Sequence, residues 1–450
     1  MFAKVLIANR GEAAVRVIRA CRELGIRTVA VFSEADRTCL HVRLADEAIC
    51  IGPAPTGRSY LNVPNIIQAA LMTGAEAIHP GTGFLSESSA FAEICAGYGI
   101  TFVGPTPETI AQLGDKARAR SVMRDAGLPV MPGGDAPVRT LDEAKDFAQS
   151  LGYPVMLKAV GGGGGKGIRR LTSVQDLIAS FPVAQAEASS AFGNPEIYLE
   201  KCIEDARHIE VQILGDMHGS VIHLGERDCS LQRRAQKVLE EAPATCIPDP
   251  IRAKLCEAAV AGARAVGYVN AGTWEFLVDR NHDFYFMEAN ARLQVEHPVT
   301  EAITGVDMVK TQLAIASGAH LPWTQDEIHL QGHAIEVRVT ADDPRRNFAP
   351  DAGLVGRFDM PGGPGVRVDT HVVAGYEVPP FYDSLLAKLI TYGSTREEAR
   401  VRLLRALAEF RIEGLATTVG FHERLVSDPS FITQDLTTTF VERWLPGVEW

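Results

Sequence analysis

A chain of 450 residues, 46% hydrophobic and 22% charged, is long enough for two or three domains with separate cores and too apolar to be disordered. A formal charge of −12 argues against nucleic acid as the main partner, and no apolar run reaches the roughly 20 residues that a membrane-spanning helix needs. The eight cysteines are scattered without a CxxC pair, which predicts reduced, mostly buried thiols and argues against a zinc site.

Met1–Lys4 runs straight into the apolar stretch Val5–Ala8, so no signal peptide is expected and the location should be cytoplasmic. Residues 1–113 alternate strand and helix. Strands are predicted at Lys4–Ala8, Thr28–Phe32, Ala77–His79 and Gly99–Val103, with helices near Glu12–Leu24 and Tyr60–Thr73. That alternation implies an α/β unit with a doubly wound parallel sheet. Functional loops of such sheets follow the strand C-termini, here Asn9–Glu12 and His79–Gly83. A helical link over Asp115–Ala126 carries Lys116, and a small α/β lobe occupies about 130–203. The remainder holds a carboxylate-bearing hairpin, a two-period strand Ala334–Thr340 with Glu336 and Arg338, and a helical tail after Thr395. The divisions expected are 1–113, 114–203, 204–330 and 331–450.

Within the small lobe, Pro154–Ala159 is an apolar run bearing Lys158, followed by glycine at 161–165 and at 167. It is not a Walker A loop, because no Ser or Thr follows Lys166 and Val160 occupies the first glycine position. Its physical content is a backbone that can take positive φ and bring successive N–H groups, including those of Gly163, Gly164 and Gly165, against an anion. With Ile168–Leu171 read as a strand, the segment becomes a flexible flap over phosphates.

The segment Gly272–Thr300 is the most informative. From Glu288 the polar residues Glu288, Asn290, Arg292, Gln294 and Glu296 alternate with Ala289, Ala291, Leu293 and Val295, which is the strand period. Thr273–Val278 and Phe284–Met287 read as hairpin arms. With a two-residue turn at Asn281-His282, Glu275 lies opposite Glu288 on one face, and a slip of one residue separates them. Two facing carboxylates beside an amide are hard oxygen ligands suited to Mg²⁺.

These pieces together resemble the ATP-grasp arrangement and, within it, the biotin carboxylases. The resembling motifs are NRGEAAVRVIRACRELG (9–25), HPGTGFLSE (79–87), GDKARAR (114–120), KAVGGGGGKGIR (158–169), RHIEVQIL (207–214), ERDCSLQRRAQKVLEEAP (226–243), EANARLQVEHPVTE (288–301), GHAIEVRV (332–339) and YDSLLAKLI (382–390). The resemblance implies an α/β and α+β multidomain fold. It comprises an N-terminal doubly wound sheet, an ATP-grasp domain with a glycine-rich lid, and a C-terminal biotin carboxylase domain. It implies ATP- and bicarbonate-dependent carboxylation of biotin through carboxyphosphate, as the carboxylase component of an acyl-CoA carboxylase-type system. No Met-Lys-Met attachment sequence is present, so biotin is expected on a separate carrier protein, with a carboxyltransferase as further partner.

The residue roles that follow from the resemblance are these. Glu275 and Glu288, assisted by Asn290, hold Mg²⁺ (or Mn²⁺). Lys116 and Lys158 neutralise nucleotide phosphates, His208 and Gln232 contact the nucleotide, and Glu200 and Lys201 its adenine side. Lys237 and Arg292 clamp bicarbonate, Glu296 is its general base, and Arg338 stabilises the enolate form of biotin. Gly83, Gln294 and Val295 belong to the biotin pocket, and Arg19, Glu23 and Arg367 fall where the family makes homodimer contacts.

Several positions depart from the family pattern. Thr82 replaces a tyrosine beside the biotin pocket, Ala235 a histidine near the phosphates, and Ala289 a bulkier apolar residue. Ala291 stands where threonine is frequent, and a threonine-asparagine pair becomes Thr417-Thr418. Two alternatives therefore stay open at this level: an ATP-grasp paralogue serving a different acceptor, and an inactive nucleotide-binding assembly partner.

Overall fold

The computed structural model describes residues 1–133, 137–159, 168–192 and 194–450. The glycine run, and with it Gly163, Gly164 and Gly165, lies outside the described residues. The N-terminal strands form a five-stranded parallel sheet in the order Glu47–Gly52, Arg27–Ser33, Lys4–Ile7, Ala77–His79 and Thr101–Phe102. Both faces are covered: Leu6, Val29 and Val31 pack with Ile66 and Phe91, whereas Val5 and Ile7 join a core that includes Leu293 and Val309. The edge strand Glu47–Gly52 and the helix Ser89–Gly97 are additions to the elements expected from the sequence. The edge strand is half-exposed along its length, so it lacks the apolar run that marks the interior strands.

Helix Lys116–Asp125 starts where Asp115 accepts hydrogen bonds from the Ala117 and Arg118 amides at 3.0 and 3.1 Å, which sets Lys116 in the first turn. The small lobe is an antiparallel sheet ordered Ile168–Leu171, Val155–Ala159, Ile197–Lys201, with helices Leu141–Leu151 and Val174–Phe192 against it. Val155, Leu157 and Ala159 point into that core, and Lys158 therefore points away from it.

The largest element is an antiparallel sheet of eight strands. Their order is Phe284–Asn290, Asn270–Val278, Arg207–Gly215, Val221–Arg233, Gln236–Ala242, His333–Thr340, Leu385–Gly393 and Val366–Thr370. It runs unbroken through the 204–330 and 331–450 segments. Strand alternation sorts its two faces. Ile209, Val211, Ile213, Trp274 and Phe276 pack on helix Asp249–Ala265, and Val337, Val339 and Leu389 pack on helices Arg396–Glu409 and Val419–Ser427. The residues between them, among them Glu210, Glu275, Arg338 and Lys388, line the opposite, polar face.

Candidate active site

Glu275 and Glu288 are register partners. The pairing arises by a different route from the two-residue turn expected. The turn is longer: Val278 pairs with Phe284, the Asp279 amide bonds to the Asp283 carbonyl, and His282 takes a left-handed φ of 65°. Between Phe276–Phe286 and Glu275–Glu288 the ladder skips Met287, a bulge that shifts the register by one and restores the facing carboxylates. Glu210 is in turn the partner of Glu275, and Arg227 of Glu210. Arg227, Glu210, Glu275 and Glu288 thus form one row across four adjacent strands.

Lys237 is inserted at the inner part of this row. Its ammonium lies 2.5 Å from Glu210, 3.0 Å from Glu275 and 2.7 Å from Glu296. Burial alone would lower its pKa, but these carboxylates raise it well above the usual lysine value. Arg227, fully buried, holds Glu210 through Nε at 2.5 Å and reaches Gln212 at 2.7 Å and Thr300 at 2.9 Å. Against the opposing effect of burial, Arg227 and Lys237 depress the Glu210 carboxyl to about 2. His208 Nδ1 faces the Gln232 amide at 2.9 Å, and its Nε2 lies 3.1 Å from Glu275.

The outer end of the row is different in kind. Glu288 is 41% exposed, and Lys116 lies 4.0 Å from it. Partial burial and the facing Glu275 raise its pKa. Such charge crowding is relieved by a divalent cation, and a buried carboxylate facing one that opens to solvent matches the one or two that Mg²⁺ normally takes from protein. The Asn290 amide nitrogen donates to Glu275 at 2.7 Å and its oxygen accepts from Arg292 at 3.0 Å.

Beyond Asn290 the expected strand stops. Residues 291–296 turn, and helix His297–Thr304 begins with Glu296 as its cap residue. The polar side chains still converge, through contacts rather than through strand alternation. Arg292 donates to Gln294 at 2.7 Å, Gln294 to Glu275 at 3.2 Å, and Arg338 to Glu296 at 2.9 Å. Against burial, Lys237 and Arg338 hold the Glu296 carboxyl below its ordinary range. The Val295 carbonyl accepts from buried Lys388 at 3.0 Å. The Arg338 carbonyl accepts from Thr418 at 3.2 Å and lies 2.8 Å from His422 Nε2.

Other sequence-selected residues sit around this line. Lys158 lies 2.5 Å from Glu200, whose second oxygen takes Arg120 at 2.5 Å. Lys201 donates to the Gly152 carbonyl at 2.7 Å, on the small lobe's own backbone. In the 79–87 loop, Asn9 donates to the Pro80 and Thr82 carbonyls at 2.7 and 2.8 Å, and Gly83 is exposed at φ 66° with open space where a Cβ would stand. Glu87, at the end of that loop, accepts from Arg292 at 2.7 Å and from the Ala291 amide at 3.0 Å.

Sequence reasoning missed Glu87, Glu210, Arg227 and Glu240. Glu210 had a legible signal, since His208, Glu210 and Gln212 alternate with Ile209, Val211 and Ile213. Glu87 had none, because its partner is 205 residues away.

Comparison with known proteins finds relatives over nearly the whole chain. Residues 1–110 match the family described as biotin carboxylase, N-terminal domain, and residues 336–443 the biotin carboxylase C-terminal domain. Residues 115–324 match the ATP binding domain of the carbamoyl-phosphate synthase L chain. The biotin carboxylase of Nostoc sp. is 54% identical over 98% of this chain and 99% of its own length. Biotin carboxylase 1 of Bacillus subtilis is 52% identical over 99% of this chain and 99% of its own. Among solved structures, a biotin carboxylase–β,γ-ATP complex from Campylobacter jejuni superposes with a TM-score of 0.96 at 45% identity, covering 98% of this chain and 99% of that one. The biotin carboxylase domain dimer of the Hydrogenobacter thermophilus 2-oxoglutarate carboxylase, in complex with MgADP, ADP and bicarbonate, gives 0.96 at 47% identity, covering 100% and 99%. With three consecutive domain matches and near-complete mutual coverage at about half identity, the chain belongs to the biotin carboxylase family.

Proposed function

We propose that this chain uses ATP and bicarbonate to carboxylate biotin presented on a separate carrier protein, as the biotin carboxylase component of an acyl-CoA carboxylase-type system. One observation carries the reading: Lys237 ion-pairs Glu210, Glu275 and Glu296 at once, Arg338 ion-pairs Glu296, and Glu288 faces Glu275 in register. Hard oxygen ligands, a buried cation, a base and an oxyanion partner are thereby adjacent.

Glu275 and Glu288, with Asn290 beside them, would hold Mg²⁺ or Mn²⁺, which when bound offsets the charge of phosphate oxygens. Lys116 and Lys158 meet the phosphates, His208 and Gln232 the nucleotide, and Glu200 and Lys201 the adenine side. Lys237 and Arg292 exchange carboxylate partners for bicarbonate, Arg292 through its forked donors. Glu296, ionised at neutral pH, takes the bicarbonate proton as an oxygen of bicarbonate bonds to the γ-phosphorus and ADP departs. Carboxyphosphate then splits to CO₂ and phosphate, and the phosphate takes the N1′ proton of biotin. Arg338 stabilises the oxygen of the deprotonated ureido group while its N1′ bonds to CO₂. Gly83, Gln294 and Val295 border the biotin ring.

A homodimer is part of the reading. Arg16, Arg19, Glu23 and Arg367 line an open cleft of about 400 Å³, and the Hydrogenobacter relative is a dimer. Among the described residues no helix is long and apolar enough to cross a membrane, and the eight free thiols support a cytoplasmic location. The test is ADP release measured with and without bicarbonate, free biotin and a biotinylated carrier. ATP cleavage that proceeds equally in bicarbonate-free buffer, or labelled bicarbonate that never reaches biotin, would sink the proposal.

A further inference from the structure

Behind Arg338 lies a second cross-strand group that the proposed chemistry leaves unused. Glu240 and Glu336 are register partners on adjacent antiparallel strands, and Arg338 and Lys388 are partners on the next pair. Glu240, Glu336 and Lys388 have no solvent exposure. Arg338 occupies Glu240 Oε1, through Nε at 2.7 Å and Nη2 at 2.5 Å. Lys388 is engaged by Glu12 at 3.1 Å and the Val295 carbonyl at 3.0 Å, with Asp369 at 3.8 Å. Neither cation takes Glu336. Both of its oxygens, and Oε2 of Glu240, have no hydrogen-bond partner.

Directly opposed residues on one face of an antiparallel pair have Cβ atoms about 4.5–5.5 Å apart. Two carboxylates at that spacing and out of water repel each other, and three orphaned acceptors call for a donor. The donor the pair itself can supply is a proton on one carboxyl. Glu240 already faces the Arg338 guanidinium and is the better anion, which leaves the proton to Glu336. We propose that Glu336 is held as a neutral carboxylic acid, donates its proton to Oε2 of Glu240, and through Glu240 positions Arg338.

The electrostatics agree. Burial lifts the Glu336 carboxyl well above its usual range despite Lys388, and Glu240 and Glu296 add to the rise against Arg338. Glu240 itself is lifted to about 7 by burial, against the pull of Arg338. Beyond these, Glu12 and Asp369 face the group through Lys388, and His297 opens the helix packed on the strand. Sharing one proton, the pair presents a single negative charge to Arg338. The guanidinium then remains free to serve Glu296 and an oxyanion. An ionised pair would surround it with three carboxylates. A neutral Glu336 also leaves Lys388 to its hold on the Val295 carbonyl, so both cations tether the turn that carries Glu296.

The functional half of this inference rests on the role proposed for Arg338, and two independent measurements separate them. The first is infrared spectroscopy of the unliganded protein against pH. The unaltered chain should show a protonated-carboxyl band that is absent from Glu336→Gln and fades in alkali. A spectrum unchanged by Glu336→Gln overturns the proposal. If that variant does not fold, Glu240→Gln takes its place and must shift the same band; an unmoved band again overturns it. The second is kinetic. Glu336→Ala should lower biotin carboxylation about tenfold, the cost of one orphaned buried acceptor. Bicarbonate-dependent ATP cleavage without biotin should fall far less, and Glu336→Gln, which keeps a donor, should restore carboxylation. Equal loss of both activities, or no rescue by glutamine, overturns the positioning role. If the unaltered chain carboxylates no biotin, the proposed function fails, while the infrared result still decides the state of Glu336.

Discussion

Lys237 concentrates the site's electrostatics in one side chain. Its ammonium compensates three buried carboxylates, and removing one partner of a buried ion group strands the others. Lys237→Met should therefore cost about 3–5 kcal/mol of stability and abolish bicarbonate-dependent ATP cleavage, measured by denaturant unfolding and ADP release. Glu296→Gln keeps size while removing the base. Nucleotide binding should stay near normal, with turnover down about 10²–10⁴-fold. Loss of nucleotide binding in that variant would instead give Glu296 a binding role. Ala289, small where the family is bulky, lies opposite Trp274, whose fully buried ring belongs to the same core cluster. Thr82 acts at this scale through its backbone carbonyl, which Asn9 holds.

At the scale of elements, the hairpin joining Val221–Arg233 to Gln236–Ala242 carries strain that can be removed. Arg233 pairs with Gln236, and the two turn residues Arg234 and Ala235 take φ of 50° and 60°. Both lie in the left-handed region that Asn-Gly turns favour and that costs other residues roughly 1–2 kcal/mol each. Arg234→Asn with Ala235→Gly should raise unfolding free energy by about 1–2 kcal/mol. An unchanged denaturation midpoint would show that the turn is not strained. The bulge at Met287 makes the opposite point, because a local irregularity there creates function. Inserting one residue after Met287 would, with the bulge kept, place Glu288 opposite Trp274 and so out of register with Glu275. Mg²⁺-dependent nucleotide binding should then fall at least tenfold, the loss of one charged ligand contact. Retained Mg²⁺ dependence in a folded variant would exclude the Glu275–Glu288 pair as its source.

At the scale of the molecule, opposed sets of buried carboxyls shape stability against pH. Glu241 is paired with Arg396 at 2.7 Å and His333 at 2.9 Å, and these partners overcome burial to depress it from 4.5 to about 2. Asp369, beside Lys388 and Arg367, is likewise depressed. Their contribution is full above the unfolded value near 4.5 and is lost as pH falls through the folded value. Glu336 and Glu240 are raised, so they favour the folded state in acid and oppose it as pH climbs from about 4.5 through about 7. From these groups, thermal unfolding should be most resistant at about pH 5 and should weaken as pH climbs toward about 7. Glu241→Gln should cost about 3–5 kcal/mol at pH 7, with the deficit vanishing in acid. A deficit that persists at pH 2 would mean the ion pair is not its origin.

The sequence by itself determined the local periods and, through them, the elements. Alternation at 207–214 and 334–340 put the polar residues on one side of each strand, and glycine and asparagine after Ile7 marked the end of a parallel strand. Motif order also reached the family and most of the candidate site residues. What the sequence could not specify is anything that depends on which strands meet. The register of Glu275 with Glu288 is legible in it, yet that register arises from a longer turn and a compensating bulge. The end of the strand at Asn290 was hidden, because the alternation of 291–296 reflects burial in a turn rather than extension. Glu210, Glu87 and Glu240 became part of the site only when distant strands and loops were brought together. Tertiary structure also decided ionisation. Identical carboxyl groups end up depressed at Glu210 and Glu241 or raised at Glu336 according to the cations that face them, and those cations arrive from other strands and helices.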